Sequence, residues 1–145
     1  MNEIEKAYIA GLVDGEGCIR VNKTRLKRKG LGFQFGANVR LGMCEEDCIR
    51  FCQEKTGLGS VRKIATTYYK HPHYVWDLGT RQTEQLLREI LPYLVGKREQ
   101  ALIVLEYCEQ RNTDNHHKLT DEEIARCDWY FNRLKEMKSA VAEVG

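Results

Sequence analysis

The sequence predicts an α+β domain built around antiparallel strand pairs, and three observations carry that prediction. The apolar period switches twice from three- and four-residue steps to strict alternation, which gives helix, two strands, helix, two strands, helix. The first strand pair is long, alternates cleanly and is joined by a basic, Gly-containing turn, as an antiparallel hairpin requires. Two further helical segments follow without another strand. At 145 residues the chain has the length of one domain with a sizeable core, so residues 1–145 read as a single domain.

In order, Ile4, Ala7, Tyr8, Gly11 and Leu12 recur at helical spacing and predict a first helix over 3–14. Ala10, Gly11 and Gly15 lack bulk, so a second helix could approach to the short end of the usual ~8–10 Å axis separation. At the end of this helix Asp14 and Glu16 alternate with Gly15 and Gly17, glycines that allow a sharp turn, including through positive φ. Acids at a helix C-terminus oppose the macrodipole, so this pair points to a cation or a chemical role.

A strand over 18–24 places Ile19 and Val21 on one face and Arg20, Asn22 and Thr24 on the other. After a basic turn over 25–32, a second strand over 33–41 sets Phe33, Phe35, Ala37, Val39 and Leu41 against Gln34, Gly36, Asn38 and Arg40. Glu45, Glu46 and Asp47 open a second helix whose buried face holds Cys48, Ile49, Phe51 and Cys52, closed by Gly57 and Gly59. Strands follow near 60–64 and 74–78, the latter with Tyr74, Trp76 and Leu78 opposite Val75 and Asp77. Thr83 is expected to cap a third helix carrying Leu86, Leu87, Ile90 and Leu91, which Pro92 interrupts. A fourth helix is expected over 97–109. After a polar connection over 112–117, the Thr120–Glu123 capping box starts a last helix with Ile124, Cys127, Phe131 and Leu134 on one side.

Composition narrows the function classes. Hydrophobic residues make up 42% and charged residues 30%, as in a soluble globular protein. No apolar run approaches the ~20 residues that span a bilayer, so no membrane partner is expected. No basic-then-apolar leader is seen, which predicts an intracellular chain, in bacterial or archaeal cytoplasm or in an organelle. The six cysteines are therefore expected as reduced thiols, with Cys44, Cys48 and Cys52 packing as small apolar groups. The net charge of +2 conceals a strong asymmetry. From Gly17 to Cys44 there are seven Lys/Arg and no acid, and from Leu58 to Trp76 three Lys/Arg, two His and no acid. The rest of the chain holds 13 basic and 21 acidic residues. A basic half is the footprint of a polyanion binder.

The run Ile9-Ala10-Gly11-Leu12-Val13-Asp14-Gly15-Glu16-Gly17 resembles the signature of the LAGLIDADG homing endonucleases, with Ile for Leu, Val for Ile, Gly for Ala and Glu for Asp. The element order is similar to that family's αββαββα core, with helices added at the C-terminal end, and the resemblance implies a saddle-shaped antiparallel sheet. It implies that Glu16 supplies a carboxylate, and Gly15 a backbone carbonyl, to Mg²⁺ or another divalent metal such as Mn²⁺. A hard cation takes such oxygen ligands and can generate hydroxide at a phosphodiester. Asp14 is expected to orient the junction. The segment 92–97 looks like the family region that places a lysine near the scissile phosphates, with Lys97 in that place, either stabilising charge on the phosphorane or activating water. Homodimeric members carry a glutamine ahead of the second helix; here Met43 stands there, which leaves Asp47 or Arg40 to assist.

One signature per chain and two strands to cut imply a homodimer, with first helices crossing at the two-fold axis through Tyr8, Gly11 and Leu12. The polar strand faces are expected to read double-stranded DNA in the major groove, where an antiparallel ribbon fits. The residues in question are Arg20, Asn22, Thr24, Gln34, Asn38, Arg40, Arg62, His73, Val75 and Asp77. Lys23, Arg25, Lys27, Arg28 and Lys29, at the hairpin tip, are expected to hold phosphates, which position the protein without specifying a base. The function implied is site-specific, metal-dependent double-strand cleavage across the minor groove of a long pseudo-palindromic site, leaving 3′ overhangs, by an enzyme of the kind that resides in introns and promotes their spread. Two other readings fit the same scaffold: an RNA-splicing maturase, or a DNA-binding protein that does not cleave. Retention of an acid at Glu16 favours cleavage.

Overall fold

The computed structural model describes residues 1–26, 32–65, 70–111 and 119–144, with backbone only over 141–144. Lys27, Arg28, Lys29, Tyr68 and Tyr69, and the 112–117 connection, lie outside the described residues. Four strands form one antiparallel sheet: β1 (Gly17–Arg25), β2 (Phe33–Met43), β3 (Ser60–Ile64) and β4 (His73–Leu78), in the order β1-β2-β4-β3. The helices are α1 (Glu3–Glu16), α2 (Glu46–Thr56), α3 (Thr80–Ile90), α4 (Arg98–Gln110) and α5 (Asp121–Val144), with a 3-10 turn at Leu91–Tyr93. The α+β expectation holds.

Parity decides which face of the sheet is buried. Ile19 and Val21 on β1, and Ala37, Val39 and Leu41 on β2, join Trp76 and Leu78 on β4 in a single core with Ile9, Ala10 and Val13 of α1, Ile49 of α2 and Leu86, Leu87 and Ile90 of α3. The opposite face carries the polar residues, with cross-strand pairs Arg20–Asn38, Asn22–Gly36 and Thr24–Gln34. The helix of α1 starts on a capping box between Asn2 and Glu5. Helix α5 lies along β1, held at one end by the Lys23–Asp128 ion pair at 2.7 Å and at the other by Lys138 Nζ, 2.9 Å from Cys18 Sγ.

Several boundaries differ from the sequence expectation. Helix α1 runs on through Asp14 and Gly15 to Glu16. Strand β2 continues to Met43, which pairs with Tyr74 rather than lying in a junction. Thr83 is inside α3, not at its cap: the N-cap is Gly79, and the buried Thr83 hydroxyl accepts the Val39 N–H at 3.0 Å. A hydroxyl that looked like a helix start is used to fasten α3 to the sheet. Helix α5 buries Tyr130, with its hydroxyl 3.0 Å from Glu106, alongside the expected Leu134. All six cysteines are free, and Cys52 is buried as expected, whereas Cys44 is exposed. No helix among the described residues is long and apolar enough to cross a membrane.

Candidate active site and polar sheet face

The first part of the site is the end of α1. The final carbonyls of a helix have no partner within it. Here the Val13 carbonyl accepts the Gly17 N–H and the Asp14 carbonyl accepts Lys97 Nζ. The Gly15 carbonyl follows, one residue before α1 ends at Glu16, where the residue four further on already lies in β1. Gly17 has φ −87° and ψ 165°, an extended conformation open to any residue. Its glycine answers to contact instead: a Cβ there would lie 2.8 Å from both Cα and O of Val13. The turn is thus made by close approach, not by the positive φ that the sequence suggested.

The two acids have different fates. Asp14 is half-buried, and its Oδ2 and Oδ1 accept the backbone N–H groups of Val95 and Lys97 at 2.8 and 2.9 Å. Lys97 is the N-cap of α4. The carboxylate that opposed the dipole of α1 therefore sits at the favourable positive end of α4. Asp14 is structural, as expected, and it couples two helices. Glu16 is exposed. Lys97 is half-buried, with both its backbone and its ammonium tied to Asp14, two residues from Glu16. The structure thus brings Glu16, Gly15 and Lys97 to one corner.

Among the described residues no group of three His, Cys, Asp or Glu side chains could hold a metal ion. The oxygens at this corner still suit a hard cation. Mg²⁺ is commonly bound by one or two carboxylates with substrate phosphates and water completing the shell. One carboxylate and one main-chain carbonyl at the negative end of a helix make such a partial set.

The second part is the polar face. Thr24 and Gln34 are exposed and Asn22 is half-buried; with Asn38, Asp77 and Gln82 they line a groove of about 570 Å³. Arg40 is half-buried opposite Asp77 in the β2–β4 register. Arg62 is exposed, with Nη2 3.9 Å from Asp77 Oδ2. His73 Nδ1 lies 3.6 Å from Cys44 Sγ. Two expected readers differ. Val75 is only 3% exposed, because it packs on the bare Cα of Gly42 beside the His73 ring, and so offers almost no surface. Asn38 is only 6% exposed, with its amide engaged on every side. Sequence reading also missed Lys138, a cation beside Cys18 just beyond Glu16; at a separation of 120 residues no local pattern could have placed it there.

The third part is the outer face of α1. Ile4 is 82% and Tyr8 44% exposed, and Ala7, Gly11 and Gly15 share that side. A Cβ on Gly11 or Gly15 would meet nothing within 4 Å. Tyr8 is partly held by Cys48, 3.4 Å from its hydroxyl, and by the edge of the Phe51 ring. That contact, with burial second, raises the phenol above its usual range. Leu12 is half-buried against the core.

A helix ending in an exposed acid, over a four-stranded antiparallel sheet with one polar face, defines this α+β domain. Solved structures share its architecture. It superposes on the homing endonuclease I-CvuI, crystallised with a DNA target and magnesium, at a TM-score of 0.78 and 21% identity, covering 92% of this chain and 81% of that one. The archaeal intron-encoded homing endonuclease I-Vdi141I, in complex with DNA, gives 0.74 at 15% identity over 92% and 84%. The meganuclease I-SmaMI, bound to DNA, gives 0.72 at 16% identity, covering 89% of this chain and 43% of that one. No curated protein sequence matches. A profile of the LAGLIDADG endonucleases matches residues 9–100, well over half of the chain. This chain belongs to the LAGLIDADG endonuclease family.

Proposed function

We propose that the chain is a homodimeric, divalent-metal-dependent endonuclease that binds a long pseudo-palindromic DNA site and cuts both strands across the minor groove. The observation that carries this reading is the division of labour at the end of α1. Asp14 is consumed by Val95 and Lys97, while Glu16 is left exposed beside a helix-end carbonyl. A purely structural turn would have no use for the second acid at the unfavourable end of a dipole.

Glu16 and the Gly15 carbonyl would hold the cation, which supplies an activated water and neutralises charge on the scissile phosphate. Lys97, its backbone fixed by Asp14, holds a positive charge at the same corner, where a pentacoordinate phosphate gains negative charge. The polar sheet face supplies donors and acceptors to base edges in the major groove. On the Ile4–Tyr8–Gly11–Gly15 side of α1 only Tyr8 is partly held, by Cys48 and Phe51; Ile4 is 82% exposed and a Cβ on Gly11 or Gly15 would meet nothing within 4 Å among the described residues. A second copy packed there would bring both Glu16 corners close together, as a minor groove only ~6 Å wide demands. DNA complexes of the structurally similar I-CvuI and I-Vdi141I support the choice of ligand.

The test is selection of a binding site from a randomised duplex library, followed by cleavage of a plasmid carrying that site with and without Mg²⁺. Glu16→Gln should abolish cleavage and leave binding largely intact, since it keeps the size of the side chain and removes a charge that repels phosphate. Cleavage by that variant at the parental rate would exclude Glu16 as the metal ligand.

A further inference from the structure

A connected row of side chains crosses all four strands on the polar face. Arg20 of β1 donates from Nε to Asn38 Oδ1 on β2 at 2.8 Å. Asn38 Nδ2 donates to Asp77 Oδ1 on β4 at 2.6 Å and to the Leu78 carbonyl at 2.8 Å. Asp77 Oδ2 faces Arg62 Nη2 of β3 at 3.9 Å. A primary amide has two N–H donors and one carbonyl oxygen, and in Asn38 all three functions have protein partners. To pair with an adenine edge, its amide would have to abandon Asp77 or Leu78 and release Arg20.

Arg20 stands in the opposite condition. A guanidinium has five N–H donors in a fixed plane, and the row engages only the one on Nε. Among the described residues neither terminal nitrogen of Arg20 has a partner. The plane of the group is fixed by its anchored edge while its fork is left for a ligand. That fork matches the O6/N7 edge of guanine, the commonest specific contact in the major groove. Arg62, diagonal to Asp77 at 3.9 Å, has a related use: it keeps a carboxylate on this face from confronting the DNA polyanion unpaired.

We propose that Arg20 is a guanine-reading residue aimed by Asn38, and that Asn38, locked by Asp77 and Leu78, is a positioning residue that touches no base. The proposal rests on the polar face being the DNA-binding surface. A base preference set by Arg20 is then a property of the row, and Asn38 acts on the same base pair as Arg20, not on one of its own.

The experiment is binding-site selection from a randomised duplex library by the full-length protein, with a thermal melt of each variant. The parent should enrich one site with a guanine in each half. Arg20→Lys, which keeps the charge and removes the fork, should lose preference at that guanine on the order of tenfold, with the other positions unchanged. Asn38→Ala should relax the same base pair, and Arg20→Ala with Asn38→Ala together should relax it no further than Arg20→Ala alone. Asp77→Ala removes the carboxylate that holds the Asn38 amide while leaving its bond to Leu78 and Arg20 itself in place, and should relax the same base pair in a protein that still melts cooperatively. Relaxation at a different base pair in Asn38→Ala, additivity in the double variant, or retained guanine preference in Arg20→Lys would each overturn the proposal. If Asn38→Ala does not fold, Arg20→Lys and Asp77→Ala still decide. A folded parent that enriches no site would overturn the DNA-binding reading and this proposal with it; an enriched site that ignores Arg20→Lys would overturn this proposal alone.

Discussion

Replacing Asp14 with Asn tests the coupling on which the whole corner depends. The carboxylate accepts two backbone N–H groups, from Val95 and Lys97, at 2.8 and 2.9 Å. Hydrogen bonds to a charged acceptor contribute about 1.5–3 kcal/mol each. An asparagine of the same shape keeps one acceptor oxygen but turns an N–H against the other donor. Because Asp14 is half-buried, water replaces part of the loss, and we expect a net destabilisation of about 2–3 kcal/mol. At about 2–4 °C per kcal/mol for a chain near this size, the melting temperature should fall roughly 5–10 °C. Cleavage should fall further than stability explains. Lys97 is held through its backbone by this carboxylate, and a shift of about 1 Å in a positioned group can cost about 100-fold in rate. Calorimetry gives the first quantity, and single-turnover cleavage of the selected site, well below the new melting temperature, gives the second. A variant that melts within a degree of the parent and cuts at the same rate would refute the argument that Asp14 sets the position of Lys97.

The other expectations concern the dimer, the sheet and the thiols. Gly11→Trp should leave the protomer's melt intact, since a Cβ there meets nothing within 4 Å and glycine is a poor helix former. It should nevertheless convert the DNA-bound protein from dimer to monomer in analytical ultracentrifugation; a parent that is itself monomeric on its DNA site would remove the two-fold scheme. Val39→Asp places a charge at a position 0% exposed, at a cost above about 4 kcal/mol, so no cooperative melt should be seen by circular dichroism. A folded, soluble Val39→Asp variant would mean the β2 register is wrong. Burial pushes the Cys52 thiol up to about 12 and Cys108 up to about 11, while Cys44 is exposed. Since the thiolate is the nucleophile, iodoacetamide at pH 8 should label Cys44 in the native protein and reach Cys52 and Cys108 only after denaturation, as read by peptide mass spectrometry. Equal labelling rates would contradict the packing of α2 and α4.

What sequence could reveal was local periodicity and chemistry. Alternation assigned Val21, Val39 and Leu41 to the core and Arg20, Thr24 and Gln34 to the other face, because a strand's period of two admits only one arrangement once one face is buried. The signature marked Glu16 because acids at a helix C-terminus are conspicuous. What escaped was anything set by a distant neighbour. Asn38 and Asp77 are 39 residues apart and meet because β4, not β3, pairs with β2; parity gave the face of Asn38 but not its partners. Local chemistry predicts Thr83 as a cap, yet its hydroxyl accepts the Val39 N–H from inside the helix. The 83-residue link from Asp14 to Lys97 could be anticipated as a role, but not as a pair of hydrogen bonds.

The position of α5 has a consequence for assembly. Between Asp128 and Lys138 the helix rises about 15 Å, close to the roughly 16 Å that β1 covers between Lys23 and Cys18, and these are the two pairs that join them. Helix and strand therefore run antiparallel and side by side. β1 is an end strand of the sheet, and an uncovered end strand is a template for pairing with a foreign strand. The other end is β3, only five residues long with Arg62 and Lys63 exposed, a short and charged margin that discourages such pairing. With one margin accompanied by a helix and the other charged, strand-to-strand growth is discouraged at both ends. In the proposed dimer, self-association would then fall to helix α1, where a contact about a two-fold axis closes after two copies.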